Sequence, residues 1–120
     1  VGVDLVEPYR VEAALARWGD AFLRKLMDAG EIAALPAARR LDAVADAVAV
    51  KEAASKALGT GWSLGVRWRD VVVTHGAQGP SARLEAGALA VARKLGSAGA
   101  LAVRVERRDD HVLATVRLLA

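Results

Sequence analysis

The chain has 120 residues, 54% of them hydrophobic and 26% charged, with a net charge of +3. That is the length of one domain with room for one core, too apolar for disorder, and without the run of about eighteen uncharged apolar residues that a membrane-spanning helix needs. Cysteine is absent and histidine occurs only at His75 and His111, which excludes disulfides, thiolate metal sites and cysteine nucleophiles, and requires any metal to be held mainly by oxygen.

The positive balance favours polyanions or acidic partners without choosing among DNA, membrane, nucleotide and acidic protein. The chain opens at Val1 with neither the basic start nor the cleavage pattern of a signal peptide. We read it as trimmed or cut from something longer, with nothing directing export and a cytoplasmic setting compatible.

"VGVDLVE" reads as a nearly all-apolar, buried strand. Pro8 opens a helix to about Trp18, and Gly19-Asp20 ends it and caps a second short one, "AFLRKLM". "DAGEIAALPAA" reads as broken by Gly30 and Pro36. From about Ala38 to Leu58 the period is helical, with Gly59 where a C-terminal cap belongs. "VRWRDVVVTH" and "SARLEA" form a hairpin across "GAQGP", "GALAVARKLG" is a short helix, and the closing segment is two strands joined near Arg108-Asp109-Asp110. The order β, α, α, β, β, α, β, β predicts one α+β domain over residues 1–120, its mostly antiparallel sheet packed against the long helix.

On that helix, a period of 100° per residue puts Leu41, Val44, Ala45 and Val48 on one stripe that leads to Glu52 and Lys56, with Arg39, Asp42 and Asp46 on the other side. A carboxylate on a core-facing stripe must be paired, protonated or bound to a cation. One reading is an i,i+4 Glu52–Lys56 pair. Asp4, inside an apolar strand, is a second displaced acid, for which the plain alternative is a local hydrogen bond to backbone. Together Asp4 and Glu52 point to one hard cation; magnesium takes one or two carboxylates and completes its shell with water and phosphate oxygens. Lys56 beside it would offset charge on a leaving phosphate.

"GVDLVE" at residues 2–7, with "KEAASKALGTG" at residues 51–61, resembles the holo-acyl-carrier-protein synthase family of 4'-phosphopantetheinyl transferases. The likeness extends through "VRWRDVVV", "QGPSARL" and "RDDHVLATV" and so covers nearly the whole chain. It implies magnesium-dependent transfer of phosphopantetheine from coenzyme A to a serine of an apo acyl carrier protein, releasing adenosine 3',5'-bisphosphate. It also implies that Asp4 and Glu52 bind the metal and that Lys56 faces the coenzyme pyrophosphate. Lys51, Glu52 and Lys56 would stand at a helix end that holds metal and phosphates, with Gly59, Thr60 and Gly61 letting backbone approach the ligand. Arg10, Arg17 and Arg24, every seven residues, would dock an acidic carrier, and the family's trimer would share the site between neighbours, burying the remaining sheet face.

The chain departs from the family at two places. Ala47-Val48 stands where the family has Arg-Phe. Residues 102–107, Ala-Val-Arg-Val-Glu-Arg, replace a strand in which histidines and hydroxyls help hold coenzyme A. Arg104 and Arg107 are the substitutes there that would bind phosphate, since arginine pairs bidentately with it. An alternative is therefore a catalytically degenerate relative, a carrier-binding or scaffold domain of a fatty acid or polyketide synthase system. A nucleic-acid binder is a third reading, without the interleaved exposed aromatics such a role uses.

Overall fold

The computed structural model describes residues 1–120. A three-stranded antiparallel sheet in the order β1-β5-β4 combines β1 (Gly2–Val6), β5 (His111–Leu118) and β4 (Leu101–Arg108). A separate antiparallel hairpin pairs β2 (Val71–Gly76) with β3 (Gly79–Leu84). The long helix α4 (Arg40–Ala57) lies against β1 and β5 of the first sheet; α1 (Pro8–Trp18) packs on α4, α2 (Asp20–Leu26) on α1 and on the turn at Trp68–Asp70, α3 (Ala29–Ala33) on α2 and β2, and α5 (Ala86–Lys94) on that same turn. No helix is long and apolar enough to cross a membrane.

The α+β reading is borne out, with corrections of detail: the strands form two separate antiparallel sheets where one was expected. "DAGEIAALPAA" contains α3, because Asp28 and Glu31 form a reciprocal capping box that satisfies the free N–H groups of its first turn. In β1 the outer residues Val3 and Leu5 are 46% and 54% exposed, so the strand is buried on one face only. Gly2, Asp4 and Val6 take the other face by alternation, toward α4.

The helix is packed nearly all round, which departs from the single stripe expected. Ala43, Ala47, Val50 and Ala54 are fully buried, whereas Leu41, Val48 and Glu52 are half-buried and Lys56 is exposed. Alanine at so many positions lets neighbours come close on several sides. The tightest approach is at Gly2, where a Cβ would stand 1.8 Å from the Ala53 carbonyl oxygen. No other residue leaves room for the helix backbone there.

Candidate active site at the β1–α4 seam

That close approach brings the third residue of β1 over the last turns of α4. Asp4 pairs in register with Ala114 of β5, whose small side chain leaves the carboxylate free to turn to the helix. Its partner is Lys56, whose Nζ donates to Asp4 Oδ1 at 2.8 Å and to the Val3 carbonyl at 3.2 Å. The Asp4 side chain is 16% exposed and that of Lys56 51%, so the pair sits at the rim of the core. The bond to Asp4 raises the Lys56 pKa above its ordinary value.

Glu52 lies one turn earlier on α4 and is not the partner of Lys56, so the i,i+4 pair is not formed. Burial pushes the Glu52 pKa above the usual carboxylate range, and the neighbouring Asp4 charge pushes it further. The Trp62 side chain and Lys56 hold part of that rise down. The Trp62 Nε1 hydrogen is buried near this carboxylate without an acceptor in hydrogen-bonding geometry. Two acids that repel one another, only one of them ion-paired, make a cation-seeking arrangement.

Beyond α4 the chain turns at Gly59 (φ 79°) and Gly61 (φ 55°), both left-handed. The Gly61 N–H donates to the Ser55 carbonyl at 3.2 Å, and Thr60 Oγ1 to the Gly61 carbonyl at 2.9 Å. A Cβ at either glycine would meet nothing within 4 Å. Within the chain, therefore, backbone conformation and not crowding demands them.

Arg104 and Arg107 are not brought to this seam. Arg104 sits on the outward face of β4, 3.3 Å from Glu106. Arg107, on the inward face, reaches the opposite end of α4, where Nη2 meets Asp46 Oδ1 at 2.5 Å and Nη1 lies 3.5 Å from Asp42. With Arg39, Asp46, His75 and Gly79 it lines a cavity of about 180 Å³. Burial raises the Asp46 pKa despite Arg107, and lowers that of His75. Asp46, expected on the exposed side of the helix, is 4% exposed, because this strand covers that side.

The three arginines of the first helical region are all exposed. Arg10 lies 3.2 Å from Glu7, and the Arg17 guanidinium stands 5.1 Å over the Trp18 ring. The Arg24 carbonyl accepts from Arg69 Nε at 2.8 Å.

Lys51 departs furthest from expectation. It has no exposed surface and points away from Asp4, with Nζ 2.9 Å from Glu31 Oε2. It is not at the rim with Lys56, because 100° per residue turns it to the hairpin side of α4. Glu31 escaped sequence reading although its signal was present: Asp-Ala-Gly-Glu at residues 28–31 has capping-box spacing.

The donor set suits a hard divalent cation. Asp4 and Glu52 offer carboxylate oxygens from facing elements, and Glu52 has no ion-pair partner. No group of three or more His, Cys, Asp or Glu occurs. Protein ligands would therefore stop at two, which is what magnesium accepts when substrate phosphate and water complete the shell.

The fold and this seam define a class. The family profile described as the 4'-phosphopantetheinyl transferase superfamily matches residues 1–116. The "Holo-[acyl-carrier-protein] synthase" of Solidesulfovibrio magneticus is 45% identical over 98 residues, covering 81% of this chain and 79% of that protein. The crystal structure of holo-[acyl-carrier-protein] synthase from Neisseria meningitidis superimposes with a TM-score of 0.84 at 27% identity, covering 96% of this chain and 93% of that one. A holo-(acyl-carrier-protein) synthase from Bacillus anthracis, solved in complex with CoA (3',5'-ADP), gives 0.73 at 26% identity, covering 98% and 92%. The chain belongs to the 4'-phosphopantetheinyl transferase superfamily, as an enzyme of the holo-[acyl-carrier-protein] synthase type.

Proposed function

We propose that the protein, acting over residues 1–120 as one unit, transfers 4'-phosphopantetheine from coenzyme A to a serine of an acidic apo acyl carrier protein, with magnesium. The observation that supports this is the seam itself: Asp4 of the strand and Glu52 of the helix are neighbours, and Lys56 pairs with Asp4 at the exposed rim. The coenzyme A complex of the similar Bacillus anthracis enzyme supports the donor.

In this reading the serine Oγ bonds to the pantetheine-side phosphorus as the pyrophosphate P–O bond breaks, and adenosine 3',5'-bisphosphate leaves with the electron pair. Asp4 and Glu52 would hold the metal, whose contribution when bound is to withdraw charge from the pyrophosphate oxygens. Glu52, the seam carboxylate without an ion-pair partner, is the group available to receive the serine proton. Lys56, exposed and charged, offsets the negative charge that grows on the leaving phosphate. The Gly59-Thr60-Gly61 turn lines the pyrophosphate side.

Arg10, Arg17 and Arg24 would dock the acidic carrier, setting encounter rate and orientation. The outward face of the first sheet carries Val3, Leu5, Leu113 and Arg104 together. Burial of that apolar face in a homotrimer would bring Arg104 to a neighbour's coenzyme. Arg107, 39% exposed beyond its pair with Asp46, would serve phosphate at its own cavity. Membrane and nucleic acid have no part in this reading, and the reaction belongs in the cytoplasm, in fatty acid or polyketide assembly.

Incubating the protein with magnesium, coenzyme A and a panel of apo carriers, then weighing the carriers, tests it. We expect at least one to gain a phosphopantetheine. Carriers that bind unmodified would favour the degenerate scaffold reading, for which the altered residues 102–107 are the motive.

A further inference from the structure

Lys51 has no part in the chemistry above, yet it is the largest fully buried side chain. An ammonium in that position is tolerated only if every proton finds an acceptor. Here each one does. Nζ meets Glu31 at 3.1 Å (Oε1) and 2.9 Å (Oε2), the Trp68 carbonyl at 3.0 Å, and the Val71 carbonyl. Glu31 in turn accepts the Asp28 N–H at 3.2 Å and the Val73 N–H at 3.0 Å. One closed network thus ties α3, α4, the turn at Trp68–Asp70 and β2.

The geometry relates this network to the site. Residues 58–67 leave α4 beside Glu52 and Lys56, and the chain returns at Trp68, whose carbonyl is bound by Lys51 of the same helix. That carbonyl also accepts the Val71 N–H, so Lys51 supplies its link to the helix. The Trp68 ring stacks on Trp62 with centroids 4.1 Å apart and planes 21° from parallel. The Trp62 Nε1 is buried, and the Trp62 side chain adjoins Glu52. A continuous path of contacts therefore runs from Lys51 through Trp68 and Trp62 to the residue that follows Lys51 in sequence.

We propose that Lys51 is a positioning residue: by holding the Trp68 carbonyl it fixes the Trp68–Trp62 stack, which forms the wall on which the Glu52 carboxylate is set. This rests on the transferase reading of Glu52. A carboxylate displaced by about 1 Å loses about tenfold to a hundredfold in turnover while distant docking contacts stay intact. Lys51 acts through the Trp68 backbone and the two indole rings and touches no reacting atom.

The test uses a Lys51→Met, Glu31→Gln double variant, which leaves no unpaired buried charge, and Trp62→Leu in the half-exposed loop. Transfer by the wild-type protein is measured alongside; its absence would count against the transferase reading, not against the path, which the optical signal still reports. Trp62 and Trp68 are the only stacked indoles, so an exciton couplet in circular dichroism reports them. The double variant should unfold cooperatively yet show a weakened couplet. Its kcat should fall at least about tenfold while KM for the carrier stays within about twofold. Trp62→Leu should abolish the couplet and show the same kinetic split. An unchanged couplet in the folded double variant overturns the proposal, as does a Trp62→Leu kcat within about twofold of wild type. If the double variant does not fold, Trp62→Leu decides alone.

Discussion

Lys56 reaches across from α4 to Asp4 of β1 at 2.8 Å and leaves Glu52, one turn back on its own helix, without an ion pair. The cation is thus held by tertiary contact and not by its helix. An exposed pair of this kind contributes under about 1 kcal/mol to folding, so its worth lies elsewhere.

Lys56→Ala separates those roles. We expect a midpoint of unfolding within about 3 °C of wild type, and turnover reduced by about a hundredfold or more, because the lost interaction opposes charge that develops in the transition state. Steady-state kinetics beside thermal denaturation measures both. A parallel loss of stability and turnover would make the residue structural.

Glu52→Gln should abolish most transfer and yet stabilise the fold near neutral pH. Its folded pKa is raised by burial and by Asp4, so the folded state holds this proton more tightly than the unfolded state. Glu52 thus contributes stability that is present below its unfolded pKa and lost as pH rises through the folded value. The gain in the variant, about 1–3 °C after allowance for solvent screening, should appear at pH 8 and vanish near pH 4. Melting curves across that range check the sign.

Gly2→Ala tests the seam. The added Cβ would stand 1.8 Å from the Ala53 carbonyl oxygen, and both atoms belong to regular elements that cannot yield locally. We expect a destabilisation of about 2 kcal/mol or more as β1 is driven from α4. Transfer should fall further than the folded fraction, because Asp4 moves with the strand. Denaturant unfolding and activity normalised to folded protein measure the two.

Arg107→Ala should leave the Asp46 carboxylate, 6% exposed, without its partner, at a cost of about 2–4 kcal/mol near neutral pH. Burial already raises the Asp46 pKa, and loss of Arg107 raises it more. The defect should therefore shrink as acid protonates Asp46, since stability tied to a raised folded pKa is retained at low pH and lost on raising it. Adding Asp46→Asn should restore much of the loss. A pH series of urea midpoints on the single and double variants distinguishes this from simple loss of packing.

Much of the architecture was legible from local chemistry. Pro8, Gly19 and Gly59 mark helix limits because a missing N–H or a left-handed backbone is a one-residue property. The two-residue turn at Asp109-Asp110 and the β-branched runs on either side of it likewise specify their own hairpin. Asp4 and Glu52 were legible as acids out of place among apolar neighbours, which needs no knowledge of the fold.

The partners of the charged residues on α4 were not legible, and the composition of the helix explains why. Alanine and valine run round its circumference, so no single apolar stripe tells which sides are covered. Lys51, Asp46 and Lys56 look alike in sequence as charges on an apolar helix. One is enclosed with Glu31, one is covered by Arg107 of β4 and one stands at the rim with Asp4. Those outcomes depend on residues 20, 61 and 52 positions away in sequence. A charge in a closely packed interior is governed by whichever distant strand or turn arrives there with a counter-charge, and that exists only once the chain has folded.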